Sequence, residues 1–395
     1  MNIRMVERLV NAVLYEGYIL YPYRASAVKN RQRFNFGALY PERYSLAQHG
    51  TDAWSMQTEC LVTGSLRATL DVKVRFLHLL SREVSVPIAD CRLPIADCSD
   101  KDFQVVESLE VGDQLFQTWQ EAVEREISAP EIALDELIAA PRRLAFTFPS
   151  KREMEPLSDA SGKMIGVIAR KQEAVEGAIE LRVEQLPNPQ SAISNQQLFK
   201  VSARTTNLTG LEDEKLNSRD EALMRSLVST HTILNVRDGE FVSLLDPPES
   251  MREAAQSCRN LGTWPVLVGE EGEHDCLLSS PIILYDYPQI APESSGDLFD
   301  STEIDEILTL RIMTLTDEEK RAMRGVDERA RQILERAERL PVEQMMKMHG
   351  AIKGKNEKAK VNVMESEYGD LLASKARRFA ARYLEFERLF EKQAP

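Results

Sequence analysis

The chain has 395 residues and a formal net charge of −14, with 43% hydrophobic and 28% charged residues, the balance of a globular protein large enough for two or three hydrophobic cores. That acidity disfavours a dedicated nucleic-acid binder, whose affinity comes mainly from neutralising phosphates. No run of about 18 apolar residues occurs and the N-terminus lacks the apolar core of an export signal, so the expectation is a cytoplasmic protein without a membrane span.

The first 44 residues depart from this balance. They hold seven Lys/Arg against three Glu, a net +4 that leaves −18 on the rest, and six of the ten tyrosines: Tyr15, Tyr18, Tyr21, Tyr23, Tyr40 and Tyr44. Within 14–41, Tyr21, Tyr23, Arg24, Lys29, Asn30, Arg31 and Arg33 form a candidate partner-binding surface, because Arg and Tyr combine a large rigid contact area with a polar end. Two other readings use the same residues. In one, the segment is a structural arm whose tyrosines pack while its cations stay solvated. In the other, aromatics stack on a nucleic acid or anion whose phosphates meet the cations. Ser26 and Lys29 have the S-x-x-K spacing, but the companion motifs of serine acylation are absent.

From 60 to 201 the pattern has period two. Leu70, Val72, Val74 and Phe76 share one face, as in a half-buried strand. Residues 103–119 predict two strands around Gly112-Asp113, with Trp119 and Val123 continuing the second. Further strands are expected at 142–148, 163–171, 177–186 and 198–210, separated by Pro and Gly breaks. The middle region mixes helices at 219–229 and 250–262, the latter stopped by Gly262, with strands around a turn at Asp238-Gly239 and at 265–269 and 276–288. Beyond 301 the pattern is helical. Thr316 and Glu319 have capping-box spacing, and Met323, Val326, Ala330, Ile333, Ala337 and Leu340 trace one apolar stripe. A last helix is expected over 367–392.

No phosphate loop, dinucleotide turn, nucleophile elbow or zinc-protease motif occurs. Pro87-Ile88-Ala89-Asp90-Cys91 recurs as Pro94-Ile95-Ala96-Asp97-Cys98, a tandem repeat whose cysteine spacing exceeds that of zinc knuckles. Cys258, His274 and Cys276, with Cys60, form a second loose set best read as buried thiols. Asp297, Asp300, Glu303, Asp305 and Glu306 read as a helix start, and as a possible complement to the basic N-terminal segment. No catalytic residue, metal ligand or cofactor is assigned.

Three stretches, 21–41 (YPYRASAVKNRQRFNFGALYP), 279–300 (SSPIILYDYPQIAPESSGDLFD) and 302–320 (TEIDEILTLRIMTLTDEEK), together resemble a bacterial protein family associated with NiFe-hydrogenase gene clusters. The resemblance implies an accessory role in assembling or maturing a hydrogenase, with a hydrogenase subunit or maturation factor as partner. It carries over no catalytic or metal-ligand residues, and the paired C-x-x-C motifs of a hydrogenase large subunit are absent. The expected fold is α+β: a β-rich, sandwich-like domain over 1–200, an α+β middle over 201–300 and a helical region over 301–395. The expected function is a non-enzymatic accessory protein that binds a protein partner and is able to self-associate. The alternative is an enzyme that clamps a small anionic substrate with the N-terminal Arg/Lys cluster.

Overall fold

The structure, a computed structural model, describes residues 3–15, 36–88, 102–187, 196–289, 312, 315–325 and 328–339. Its organising element is one strand, β1 (Ser55–Pro87), 33 residues long. Alternating Thr, Val, Leu and Phe, with no Pro before its last residue, keep β1 extended. Leu70, Val72, Val74 and Phe76 are all buried, as their spacing predicts.

Different stretches of β1 pair with different strands. Along one edge, β1 pairs first with β10 (Gln197–Asn207), then with β5 (Trp119–Ala133) and finally with β2 (Phe103–Val106). Along the other edge it pairs with β11 (Val228–Val242) and then with β8 (Met164–Gln172). Outward from these come β9 (Val175–Leu186) and β6 (Arg142–Phe148) beyond β10, β13 (Cys276–Ser280) and β12 (Trp264–Leu267) beyond β11, and β7 (Lys151–Ser158) beyond β8. The result is one 11-stranded sheet, and each of these pairings is antiparallel. A separate hairpin, β3 (Ser108–Val111) and β4 (Gln114–Gln117), turns at Gly112, whose φ of +60° suits glycine.

The fold class is therefore mostly β, 51% strand against 21% helix, with one large antiparallel sheet. This corrects the α+β expectation, and most of the helical region expected beyond 301 lies outside the described residues. The physical reason lies in β1 and β11. The expected turn at Asp238-Gly239 is instead an irregularity within β11, where Asp238 has a φ of +57° opposite a bulge in β1 that carries the register from Gly64 to Thr69. β11 runs on through it and joins the sheet that β1 organises. Besides the short helices α2 (Glu42–Ala47), α4 (Arg219–Leu223) and α5 (Arg252–Gln256), the structure describes two beyond 301, α6 (Asp317–Arg324) and α7 (Glu328–Arg339), separated at Gly325. The expected last helix, 367–392, lies outside the described residues.

The sheet curls on itself. Phe146 and Phe148 of β6 come within 6.0 and 5.9 Å of the Phe76 ring of β1, so the β9–β6 wing faces the β1–β5 part. The main core lies between them, where Val72, Leu181, Phe199 and Leu234 pack with Leu134 and Leu137 of α3 (Leu134–Ala139). On the other side of the β11–β13–β12 wing, Val6, Leu9, Val10 and Val13 of α1 (Ile3–Leu14) cover Ile233, Val266 and Leu278. Both faces of that wing are thus buried, which accounts for its near-continuous apolar sequence. No helix among the described residues is long and apolar enough to cross a membrane.

Candidate functional site

All seven expected partner-binding residues, Tyr21, Tyr23, Arg24, Lys29, Asn30, Arg31 and Arg33, lie outside the described residues. The chain on either side is held firmly. Leu14 is fully buried, and with Tyr15, Ala38, Tyr40 and Tyr44 it joins a single core cluster completed by Leu77, Leu79 and Leu223. Tyr40 stacks on Tyr44 at 5.3 Å, and the Arg219 guanidinium lies 5.5 Å from the centre of the Tyr40 ring. Burial, partly offset by Arg219, raises the Tyr40 hydroxyl to about 12. Tyr40 and Tyr44 are therefore core residues, and the described residues on either side of the Arg-rich segment meet in this one cluster. Leu39 is fixed by backbone bonds with Leu227, and Gly37, at φ +53°, leaves no room for a Cβ against Pro281.

Among the described residues Cys60, Cys276, His78 and His231 are sealed in, whereas Cys258 and His274 are half-buried and His49 is exposed. Cys60 and Cys276 are fully buried. Burial pushes the Cys60 thiol well above its ordinary value, the Cys258 thiol to about 11 and the Cys276 thiol to about 12. A protonated thiol is a poor nucleophile and a poor metal ligand. His274 Nδ1 lies 3.1 Å from the Phe241 carbonyl. Among the described residues no group of three or more His, Cys, Asp or Glu could hold a metal ion. His78 and His231 are lowered to about 4 and about 3, mainly by burial, with Arg125 and Arg75 adding repulsion. Both are neutral at physiological pH. The Pro87–Cys91 repeat falls largely, and the acidic group at 297–306 wholly, outside the described residues.

A cavity of about 1140 Å³, lined by both charged and apolar side chains, opens between the sheet and the α6–α7 pair. On the sheet side Arg82 of β1 is only 5% exposed. It donates from Nε and Nη2 to the Gln117 carbonyl (3.1 and 2.8 Å), from Nη1 to Glu121 (3.1 Å), and from Nη2 to the Gly325 carbonyl (2.7 Å). Glu121 also accepts from Arg170 at 2.9 Å, and Arg170 reaches Glu155 at 2.8 Å. Burial, which lowers the Arg170 pKa, is outweighed by these two carboxylates, so the guanidinium is raised. On the helix side Glu338 is shared by Lys320 at 3.5 Å and Arg324 at 2.8 Å. Sequence reasoning missed Arg82. Its signal is that it shares the row of Leu80 and Val84 on β1, where an apolar residue is expected.

A different kind of surface lies at one end of the β12–β13 pair. Trp264 opens β12 opposite Ser280, the last residue of β13. Leu261 and Trp264 are 57% and 44% exposed, and just beyond β13 Ile283 and Tyr285 are 71% and 84% exposed. The intervening Leu284 turns inward to the α1 side of the wing. The neighbouring strand edge is blocked: Pro265 has no N–H, the Leu267 N–H donates to Asp286 Oδ1 at 2.8 Å, and Tyr287 N–H donates back to the Leu267 carbonyl at 2.7 Å. This surface offers side chains, not backbone, to a partner. No protein-family model matches the chain, and no curated protein matches it significantly.

Proposed function

We propose that the chain is a non-enzymatic accessory protein that recognises a protein partner, and that the partner belongs to NiFe-hydrogenase assembly or maturation. The observation that carries the binding part is the contrast between its chemistry-bearing and its apolar side chains. Cys60, Cys276, His78 and His231 are buried, whereas Leu261, Trp264, Ile283 and Tyr285 are exposed together at the β12–β13 end. Large apolar and aromatic side chains gathered at one place on a surface favour protein recognition. Ile283 and Tyr285 also belong to 279–300, one of the stretches that carry the hydrogenase-associated resemblance, which supplies the context. Arg24 and Arg31 would add a cationic part to the same recognition, and Tyr21 an aromatic one.

The test is co-purification from the native host, with the retained proteins identified and the same sample analysed for metals. The wild-type chain is expected to retain a hydrogenase subunit or maturation protein. Ile283→Ser/Tyr285→Ser and Arg24→Glu/Arg31→Glu should each lose most of it without lowering the melting temperature. Retention unaltered in both variants would remove the reading.

A further inference from the structure

We propose that the cavity between the sheet and the α6–α7 pair is a binding site for a small phosphorylated ligand of nucleotide size. The inference goes beyond partner recognition and does not rest on it. Small-molecule sites usually enclose about 300–1,000 Å³, and this cavity holds about 1140 Å³. In a chain of net charge −14, its helix wall carries Lys320, Arg321, Arg324 and Arg331 against Asp317 and Glu338, with Arg331 also 3.9 Å from Glu335. Glu338 already serves two of those cations. Arg321 makes no ion pair among the described residues. Guanidinium groups suit phosphate because their planar forks match two oxygens at once.

The sheet wall is of another character. Arg82 and Arg170 are occupied by Glu121 and Glu155, and beside Asp113 and Gln114 the wall presents Leu115, Phe116, Ile168 and Tyr15 as its apolar and aromatic surface. A ligand with phosphates toward the helices and a flat ring toward Phe116 satisfies both walls. The helix pair also has its own small core, Ile312, Leu315, Met323, Ile333, Leu334 and Ala337, which includes no residue of the sheet. No described apolar cluster spans the two.

Titration calorimetry on the full chain at fixed ionic strength tests this with ATP, inorganic pyrophosphate, adenosine and citrate. ATP is expected to bind once per chain, and pyrophosphate to compete with it more weakly. Arg321→Glu, chosen because Arg321 has no ion pair to lose, should weaken ATP by about tenfold or more at an unchanged melting temperature. Arg252→Glu, on an exposed residue away from the cavity, should leave ATP binding unchanged. No heat from ATP at millimolar concentration, equal affinity in Arg321→Glu, or an equal loss in Arg252→Glu would overturn the proposal. So would adenosine or citrate binding as tightly as ATP. These outcomes are read on the purified chain, so they are independent of whether a protein partner co-purifies.

Discussion

His78 and Arg82 sit in the same alternating row of β1 as Leu70, Val72, Val74 and Phe76, and both are buried. The strand period makes the row legible, but it does not say what a polar residue inside the row will bind. His78 meets the Glu173 carbonyl through Nε2 at 2.9 Å, and His231 meets Ser229 Oγ at 3.1 Å. These partners lie 95 residues and two residues away in sequence, so one pairing is created by the fold and the other is local. The two imidazoles make a pH prediction. Unfolding returns them to their ordinary 6.5 from about 4 and about 3. Below 6.5 the unfolded chain therefore binds more protons than the native one. Stability is present in full above that value and falls on acidification towards the folded pKa values, by at most about 1.4 kcal/mol per pH unit for each histidine. The urea midpoint should drop between about pH 7 and pH 5, and His78→Gln/His231→Gln should shrink that drop. An equal drop in the double variant would assign it to other groups.

At the scale of elements, β12 shows how a sheet end is closed. Asp286 accepts from the Leu267 N–H through Oδ1 and from the Ser243 hydroxyl through Oδ2. Asp286→Ala strands a backbone donor at the sheet edge, and a buried unsatisfied donor costs about 1–3 kcal/mol. Denaturant titration should show that loss, whereas Asp286→Asn, which keeps a side-chain oxygen at the same place, should recover most of it. Equal losses in the two variants would mean that the hydrogen bond is not what holds the edge. Individual strands were legible in the residues: β6, β8, β9 and β10 fall where period-two alternation places them, and Thr316 and Glu319 make the reciprocal capping bonds at 3.2 and 2.9 Å. The joining of those strands was not legible. Periodicity registers which face is buried but not that β1 runs on for 33 residues and changes partner along each edge. A single positive-φ residue such as Asp238 looks the same in a turn and opposite a bulge. The cavity was illegible for a related reason, since its two walls come from residues more than 140 apart in the chain, as in the contact of Arg82 with Gly325, 243 residues on.

Across the whole molecule, the sheet and the α6–α7 pair have separate apolar cores, and Arg82 links them. Its guanidinium reaches Gly325, just past the C-terminal end of α6, where unpaired carbonyls and the helix dipole favour a cation. In Arg82→Met, Glu121 keeps Arg170 and Arg170 keeps Glu155, so no buried carboxylate is stranded. What is lost is the bond to Glu121 and those to the Gln117 and Gly325 carbonyls, together about 1–3 kcal/mol. Part of that loss falls on the docking of the helix pair, because the Gly325 bond crosses between the two cores. The consequence is local opening before global unfolding. Trypsin should cut the variant several-fold faster at Arg321 and Arg324, both exposed on α6, while far-ultraviolet dichroism of the sheet stays unchanged. Arg82→Lys, which can reach one carbonyl but not span both, should fall between the two. Cleavage of Arg82→Met at the wild-type rate would show that the helix pair is held to the sheet by something other than this arginine.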